Sequence, residues 1–183
     1  MNNVLPIVML VCLALSLPQF APAVEVDGVV VPEQVDGLPL KGAGLLRWKW
    51  VFRIYVGAFY QPAGVAEADL LGAAPKRLAF TYRRAFSADD LVKATDATVF
   101  RDLPETEVVR LKPILATWNA GYPAVVEGDM LTIDHRVDGD LVLAVNGSER
   151  ARVRDPAFAR AMFGIWLGPQ AISDRFKAAM LGQ

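Results

Sequence analysis

Arg47-Trp48-Lys49-Trp50-Val51-Phe52-Arg53-Ile54-Tyr55-Val56-Gly57-Ala58-Phe59-Tyr60 is the stretch on which the fold of this chain turns. Its even positions, Trp48, Trp50, Phe52, Ile54, Val56, Ala58 and Tyr60, are nearly all large and apolar. The odd positions open with Arg47, Lys49, Val51, Arg53 and Tyr55. Successive side chains of a strand point to opposite faces, so this alternation predicts one long strand with a greasy face and a cationic, hydroxyl-bearing face. A helix would mix the two sets on every side. The expected role is the central strand of an antiparallel sheet, with helices over the greasy face and any chemistry on the other.

Upstream, Lys41-Gly42-Ala43-Gly44 gives the strand an entry where glycine lets the backbone pass close to a neighbour. Val24 to Val31 alternates weakly about Asp27-Gly28, a hairpin signal of type I′ preference, before Pro32 and Asp36-Gly37 interrupt it. Downstream, the strand leaves through Gln61-Pro62-Ala63-Gly64, with room for a short helix over residues 67–71. Residues 76–84 form the next strand, with Leu78, Phe80 and Tyr82 on one face and Arg77, Thr81 and Arg83 on the other.

Ser87 and Asp90 make a capping box for a helix running to about Thr98. Pro104 at N1, with Glu105 and Glu107 in the first turn, opens a second helix that ends at Gly121 and that Pro113 should kink or split. Three strands return as a meander over 128–136, 139–145 and 149–154, turning at Asp138-Gly139 and Asn146-Gly147. Asp155 caps a helix with Phe158, Met162, Ile165 and Trp166 as its apolar stripe, and Ser173 caps a last one with Phe176, Met180 and Leu181 inward. The class is α+β, an antiparallel sheet with a layer of helices on one face.

Residues 1–23 read as a signal peptide. Val4 to Leu17 is apolar and short for a bilayer span, and Ala21-Pro22-Ala23 is a small-x-small cleavage site, although an uncleaved anchor fits the same run. Residues 24–183 would then be one exported domain. Cys12, the single cysteine, falls in the leader, so the mature part has no disulfide, thiolate chemistry or cysteine-ligated metal. With 19 basic and 20 acidic residues, the chain offers no net charge to draw it to nucleic acid or an anionic membrane.

Few residues suit catalysis. His135 is the one histidine, without a cysteine or carboxylate cluster beside it, and its neighbour Asp134 should face the other way. No Gly-x-Ser-x-Gly elbow or glycine-rich phosphate loop occurs. Arg150, Arg152 and Arg154 alternate on one strand and suit a solvated face better than a binding stripe. Asn146-Gly147-Ser148 is better explained as a turn than as a glycosylation site. The candidate ligand-binding residues are Arg47, Arg53, Tyr55, Thr81 and Arg83, since guanidinium forks fixed on a sheet suit a carboxylate or phenolate. An ordinary exposed strand face would carry the same spacing.

Gly42-Ala43-Gly44-Leu45-Leu46-Arg47, with Arg53-Ile54-Tyr55-Val56-Gly57-Ala58-Phe59-Tyr60, resembles the signature of the chalcone isomerase-like family. Arg77 to Leu91 resembles that family's next strand and capped helix. The ending, Val145-Asn146-Gly147, Phe158, Ile165-Trp166-Leu167-Gly168 and Leu181-Gly182, resembles its bacterial, exported branch. The resemblance implies an open-faced β-sandwich with a ligand cleft and a periplasmic location. In the plant enzymes an arginine on this strand holds a phenolate, helped by a strand hydroxyl and by a tyrosine and an asparagine on the next helix. Arg47 matches the arginine and Tyr55 the hydroxyl. The helix positions fall near Asp90 and Ala97, and no tyrosine or asparagine occurs between Arg83 and Arg110.

Other members of the fold bind fatty acids without turning them over. The leading expectation is therefore binding of a fatty acid or similar amphipathic anion, with no cofactor, metal or nucleic acid. The alternative is an intramolecular lyase or isomerase of the chalcone-to-flavanone type with an altered site.

Overall fold

The computed structural model describes residues 22–49 and 51–183, so the apolar run expected to be a signal peptide lies outside the described residues. The chain opens with a two-stranded hairpin, β1 (Ala23–Val26) and β2 (Val29–Pro32). A seven-stranded antiparallel sheet follows: β3 (Gln34–Val35), β4 (Leu38–Trp48), β5 (Phe52–Tyr60), β6 (Lys76–Tyr82), β7 (Met130–His135), β8 (Leu141–Val145) and β9 (Ser148–Val153). Sheet order equals chain order. Two helices, α1 (Ala88–Asp96) and α2 (Glu105–Asn119), connect β6 to β7, and α3 (Pro156–Leu167) and α4 (Asp174–Met180) close the chain.

Local chemistry decides most of these boundaries. Asp27-Gly28, Asp36-Gly37 and Asn146-Gly147 all take positive φ at both residues, the requirement of a type I′ hairpin turn. At α1 the Ser87 hydroxyl accepts from the Asp90 N–H while the Asp90 carboxylate accepts from the Ser87 N–H, closing the capping box. Asp155 and Ser173 cap α3 and α4 in the same way. Pro104 is the N-cap of α2 rather than its first helical residue, and Pro113 leaves α2 a single helix. In place of a helix over 67–71 there is one 3₁₀ turn, Glu67–Asp69.

The expected long strand is overturned. Residues 47–60 are the end of β4, a turn at Lys49 and Val51, and β5, with Trp48 opposite Phe52 and Arg47 opposite Arg53. Lys49 turns the chain with φ of 48°, a conformation usually left to glycine or asparagine. A second irregularity follows. Leu46 pairs with Tyr55 and Arg47 with Arg53, leaving Ile54 as one extra residue on β5. That bulge breaks the alternation, so Arg53 and Tyr55 do not share a face.

The face assignment is therefore reversed. Tyr55 and Phe59 join the main core with Leu78, Phe80, Ile133 and Leu141, beneath α3 and α4. Val56, Ala58 and Tyr60 turn to the opposite side and form a second core with Val31 under the β1–β2 hairpin, where the Tyr60 hydroxyl donates to the Pro32 carbonyl. Phe52, expected under the helices, is half exposed, whereas Phe158 and Trp166 are buried there as expected.

The glycines of the opening stretch seat α4. A Cβ on Gly44 would stand 2.6 Å from the Ala179 Cβ, and one on Gly57 2.4 Å from the Phe176 Cζ. Gly44 and Gly57 are paired across β4 and β5, so together they cut a groove in the sheet for the helix.

Candidate functional site

The helix side of the sheet is not filled to its end. A cavity of about 530 Å³ opens between β5, β6 and β7 below and α1 and α3 above. Phe80, Leu131 and Ile133 form its floor, and Leu91, Ile165 and Trp166 its walls. The exposed residues among its lining, Trp48, Arg84, Ala85, Asp90 and Ala94, mark its mouth, with Phe86 beside them. Its size lies within the roughly 300–1,000 Å³ of ordinary small-molecule sites.

Three tyrosines supply the polarity. Tyr55 accepts a 2.7 Å hydrogen bond from the Trp166 Nε1, which leaves its own O–H free to donate. Tyr122 accepts from the Trp118 Nε1 at 3.0 Å and lies 3.0 Å from the Thr95 hydroxyl. Tyr82 stands edge-on to Tyr55, with ring centroids 5.6 Å apart. Burial pushes all three phenols above their ordinary pKa, Tyr55 and Tyr82 most strongly. They are therefore neutral hydrogen-bond donors at physiological pH and poor general bases.

Charge enters only at the mouth. The Arg84 guanidinium lies between two rings, 5.7 Å from the Phe52 centroid and 5.5 Å from that of Phe86, as cation–π contacts require. Asp90 also lines the cavity, but its carboxylate accepts from the Ser87 N–H and hydroxyl, and those bonds hold its pKa below the usual carboxylate range. An apolar chamber with neutral donors inside and a guanidinium at its mouth suits a molecule with a long apolar body and one anionic end.

The structure separates the residues singled out from the sequence. Tyr55 alone lines the cavity. Arg47 is exposed near the end of β4, where it pairs with Arg53 and alternates with the lining residues Leu46 and Trp48, so it faces away from the cavity. Arg53 and Arg83 both reach Asp27 of the β1–β2 turn, each at 3.3 Å, on the far face of the sheet. Thr81 alternates with the lining residues Phe80 and Tyr82 and faces away from the cavity.

His135 is buried, with Nδ1 3.2 Å from the Ala74 carbonyl, and burial and the nearby Lys76 lower its pKa. Arg152 and Arg154 are tied to Asp140, and Arg152 also to Glu149. The Asn146 amide donates to Asp129, consistent with a turn residue. Among the described residues no group of three or more His, Cys, Asp or Glu is placed to hold a metal.

Tyr82, Tyr122, Trp166 and Arg84 are the site residues that the sequence did not single out. Tyr122 gave no signal beyond its spacing of four from Trp118. Arg84 did, since two steps beyond Tyr82 on the same alternation place it on the cavity side.

A family model described as chalcone isomerase-like matches residues 23–182 of the chain. No curated protein matches it. Among solved structures, a fatty-acid binding protein of Arabidopsis thaliana is similar in fold, with a TM-score of 0.70 and 12% identity. The alignment covers 84% of this chain and 92% of that one.

Proposed function

Because the chain belongs to the chalcone isomerase-like family, whose model spans residues 23–182, we propose that it binds a fatty acid or a similar amphipathic anion in the cavity on the helix side of its sheet. The observation that carries this reading is the cavity itself: about 530 Å³, walled by Leu, Ile, Phe and Trp side chains, with Arg84 at its mouth. An acyl chain would gain about 0.8 kcal/mol per methylene taken from water, so the apolar body supplies most of the affinity. The anionic end would stay at the mouth, beside Arg84, because burying an unpaired charge is costly. Tyr55 and Tyr82 offer phenol donors to any oxygen that reaches further in. The fatty-acid ligand of the plant protein of similar fold supports the choice of ligand class.

The protein is further proposed to belong to the exported branch of the family and to work in the periplasm. The motive is the apolar run from Val4 to Leu17 followed by Ala21-Pro22-Ala23. N-terminal sequencing of the exported product should begin at Val24, and an intact Met1 would contradict it.

Binding is tested by mass spectrometry of molecules extracted from the purified protein, with titration of a fluorescent fatty acid into wild type and Arg84→Gln. Retained lipid and a roughly three- to tenfold weaker Kd for the mutant are expected, the modest factor reflecting the exposure of Arg84. An empty protein that does not bind the probe would refute the reading. The alternative, an intramolecular lyase, has the neutral donor Tyr55 in its favour, and steady turnover of a chalcone in the same preparation would establish it.

A further inference from the structure

The tip of the β4–β5 hairpin is chemically unlike the rest of the surface. Trp48, Val51 and Phe52 are 62%, 72% and 50% exposed, three large apolar side chains within five residues. Arg47, Lys49 and Arg53 alternate with them, and no carboxylate occurs between residues 47 and 53, although the chain as a whole carries a net charge of −1. Arg84 adds a fourth exposed cation, stacked on Phe52. Among the described residues only Arg53 of these four takes part in a salt bridge, to Asp27. Aromatic side chains interleaved with unpaired cations suit the boundary between acyl chains and anionic head groups, where a ring is half buried and a guanidinium stays wet.

The tip also adjoins the cavity mouth, since Trp48 and Arg84 belong to both. No helix among the described residues is long and apolar enough to cross a membrane, so such a contact would lie on the surface.

We propose that this tip docks the protein on an anionic phospholipid bilayer, with Trp48, Val51 and Phe52 entering the interface and Arg47, Lys49 and Arg84 meeting head-group phosphates. The cavity mouth then faces the bilayer, and an acyl chain passes between the two without crossing bulk water. The inference rests on the ligand reading above, but docking itself needs no ligand. Charge complementarity favours a lipid surface over a protein partner. The cations are spread along an apolar ridge on a hairpin end, a shape that enters an interface more readily than it packs against a rigid surface.

The test is co-sedimentation of the full chain with vesicles of phosphatidylglycerol or of phosphatidylcholine, for wild type and the double variant Lys49→Glu/Val51→Asp. Neither of those residues lines the cavity. Wild type should partition to phosphatidylglycerol at least tenfold more strongly than to phosphatidylcholine. The variant should lose at least a further tenfold, a factor expected for reversing one charge and burying another. In vesicle-free solution both proteins should take up a fluorescent fatty acid equally, which separates failure of docking from failure of the cavity reading. No partitioning of wild type, equal partitioning of wild type and variant, or indifference to lipid charge would each overturn the proposal. So would a wild-type dimer in light scattering that the variant abolishes, because the tip would then be a contact between copies of the chain.

Discussion

The two faces of the sheet use charge in opposite ways. On the hairpin face, Arg53 and Arg83 converge on Asp27, and Arg77 pairs with Asp36 and Asp134. Each of these cations has a carboxylate, and together they tie the β1–β2 turn and the Asp36-Gly37 turn to the sheet. On the helix face, the lining carries phenols paired with indoles, and its one cation, Arg84, stands at the mouth with aromatic rings for neighbours. The paired face is built as a cover. The face with an open cavity and a cation held only by rings is built to receive something. An arginine on a strand is thus informative about binding only when its own carboxylate partners are known.

The largest effect should separate the packed core from the hairpin tip. Phe158 is fully buried beside Trp118, with ring centroids 5.9 Å apart, and Phe158→Ala should cost about 3–5 kcal/mol in denaturant unfolding. Phe52→Ala, at the half-exposed tip, should cost less than about 1 kcal/mol. Equal losses for the two would restore the face assignment that the sequence alternation suggests.

Next comes the groove that seats α4. Gly57→Ala places a Cβ against the Phe176 ring, and the overpacking should destabilise by about 1–3 kcal/mol. A neutral result in thermal melts would mean that α4 sits further from the sheet.

A third prediction sets Arg84, at the mouth, against Lys76, the buried cation at the other end of β6. The Lys76 ammonium donates to the Leu70 and Gly72 carbonyls and lies 5.3 Å from the Phe163 ring centroid, and burial lowers its pKa to about 8. The unfolded chain, with an ordinary lysine near 10.5, binds the proton more tightly between those two values. Stability therefore contains a term that rises with pH from about 8 to 10.5, at up to about 1.4 kcal/mol per unit, and that is lost as pH falls back through 8. Lys76→Met should remove this term, flattening the slope of stability against pH across that window. An unchanged slope would show that the lysine is hydrated.

The smallest effect belongs to the hairpin face. Asp27→Asn keeps a residue that accepts positive φ before Gly28 and removes only the charge facing Arg53 and Arg83. The pairs are partly exposed, so the loss should stay under about 1 kcal/mol and shrink further in high salt. A larger, salt-independent loss would make Asp27 part of the core.

Secondary structure was largely legible in the sequence because its signals are local: capping residues before α1, α3 and α4, and Asp-Gly or Asn-Gly at three hairpins. The division of faces was not. It depends on a turn made by Lys49 without a glycine, proline or asparagine at that position, and on one extra residue at Ile54. Neither leaves a mark in an alternating pattern, and a one-residue slip moves every later side chain to the other face. Beyond the bulge the odd positions face the helices, which put Tyr55 in the cavity and left Arg53, before the bulge, outside it. The phenol pocket was hidden for a different reason. Tyr122 meets Thr95 across 27 residues, and Trp166 meets Tyr55 across 111, contacts that only the folded chain brings together.

The central claim is that the helix-side cavity, and not the arginine-bearing face, takes the ligand. The most direct measurement is titration of one fluorescent fatty acid into wild type, Ala94→Trp and Arg53→Gln. Ala94 lines the cavity from α1 at its exposed edge, so an indole there obstructs the opening, while Arg53 lies on the far face against Asp27. Ala94→Trp should weaken binding at least tenfold, on the order of 1.4 kcal/mol, and Arg53→Gln should leave it unchanged. Full affinity in Ala94→Trp with loss in Arg53→Gln would place the ligand on the other face and contradict the account.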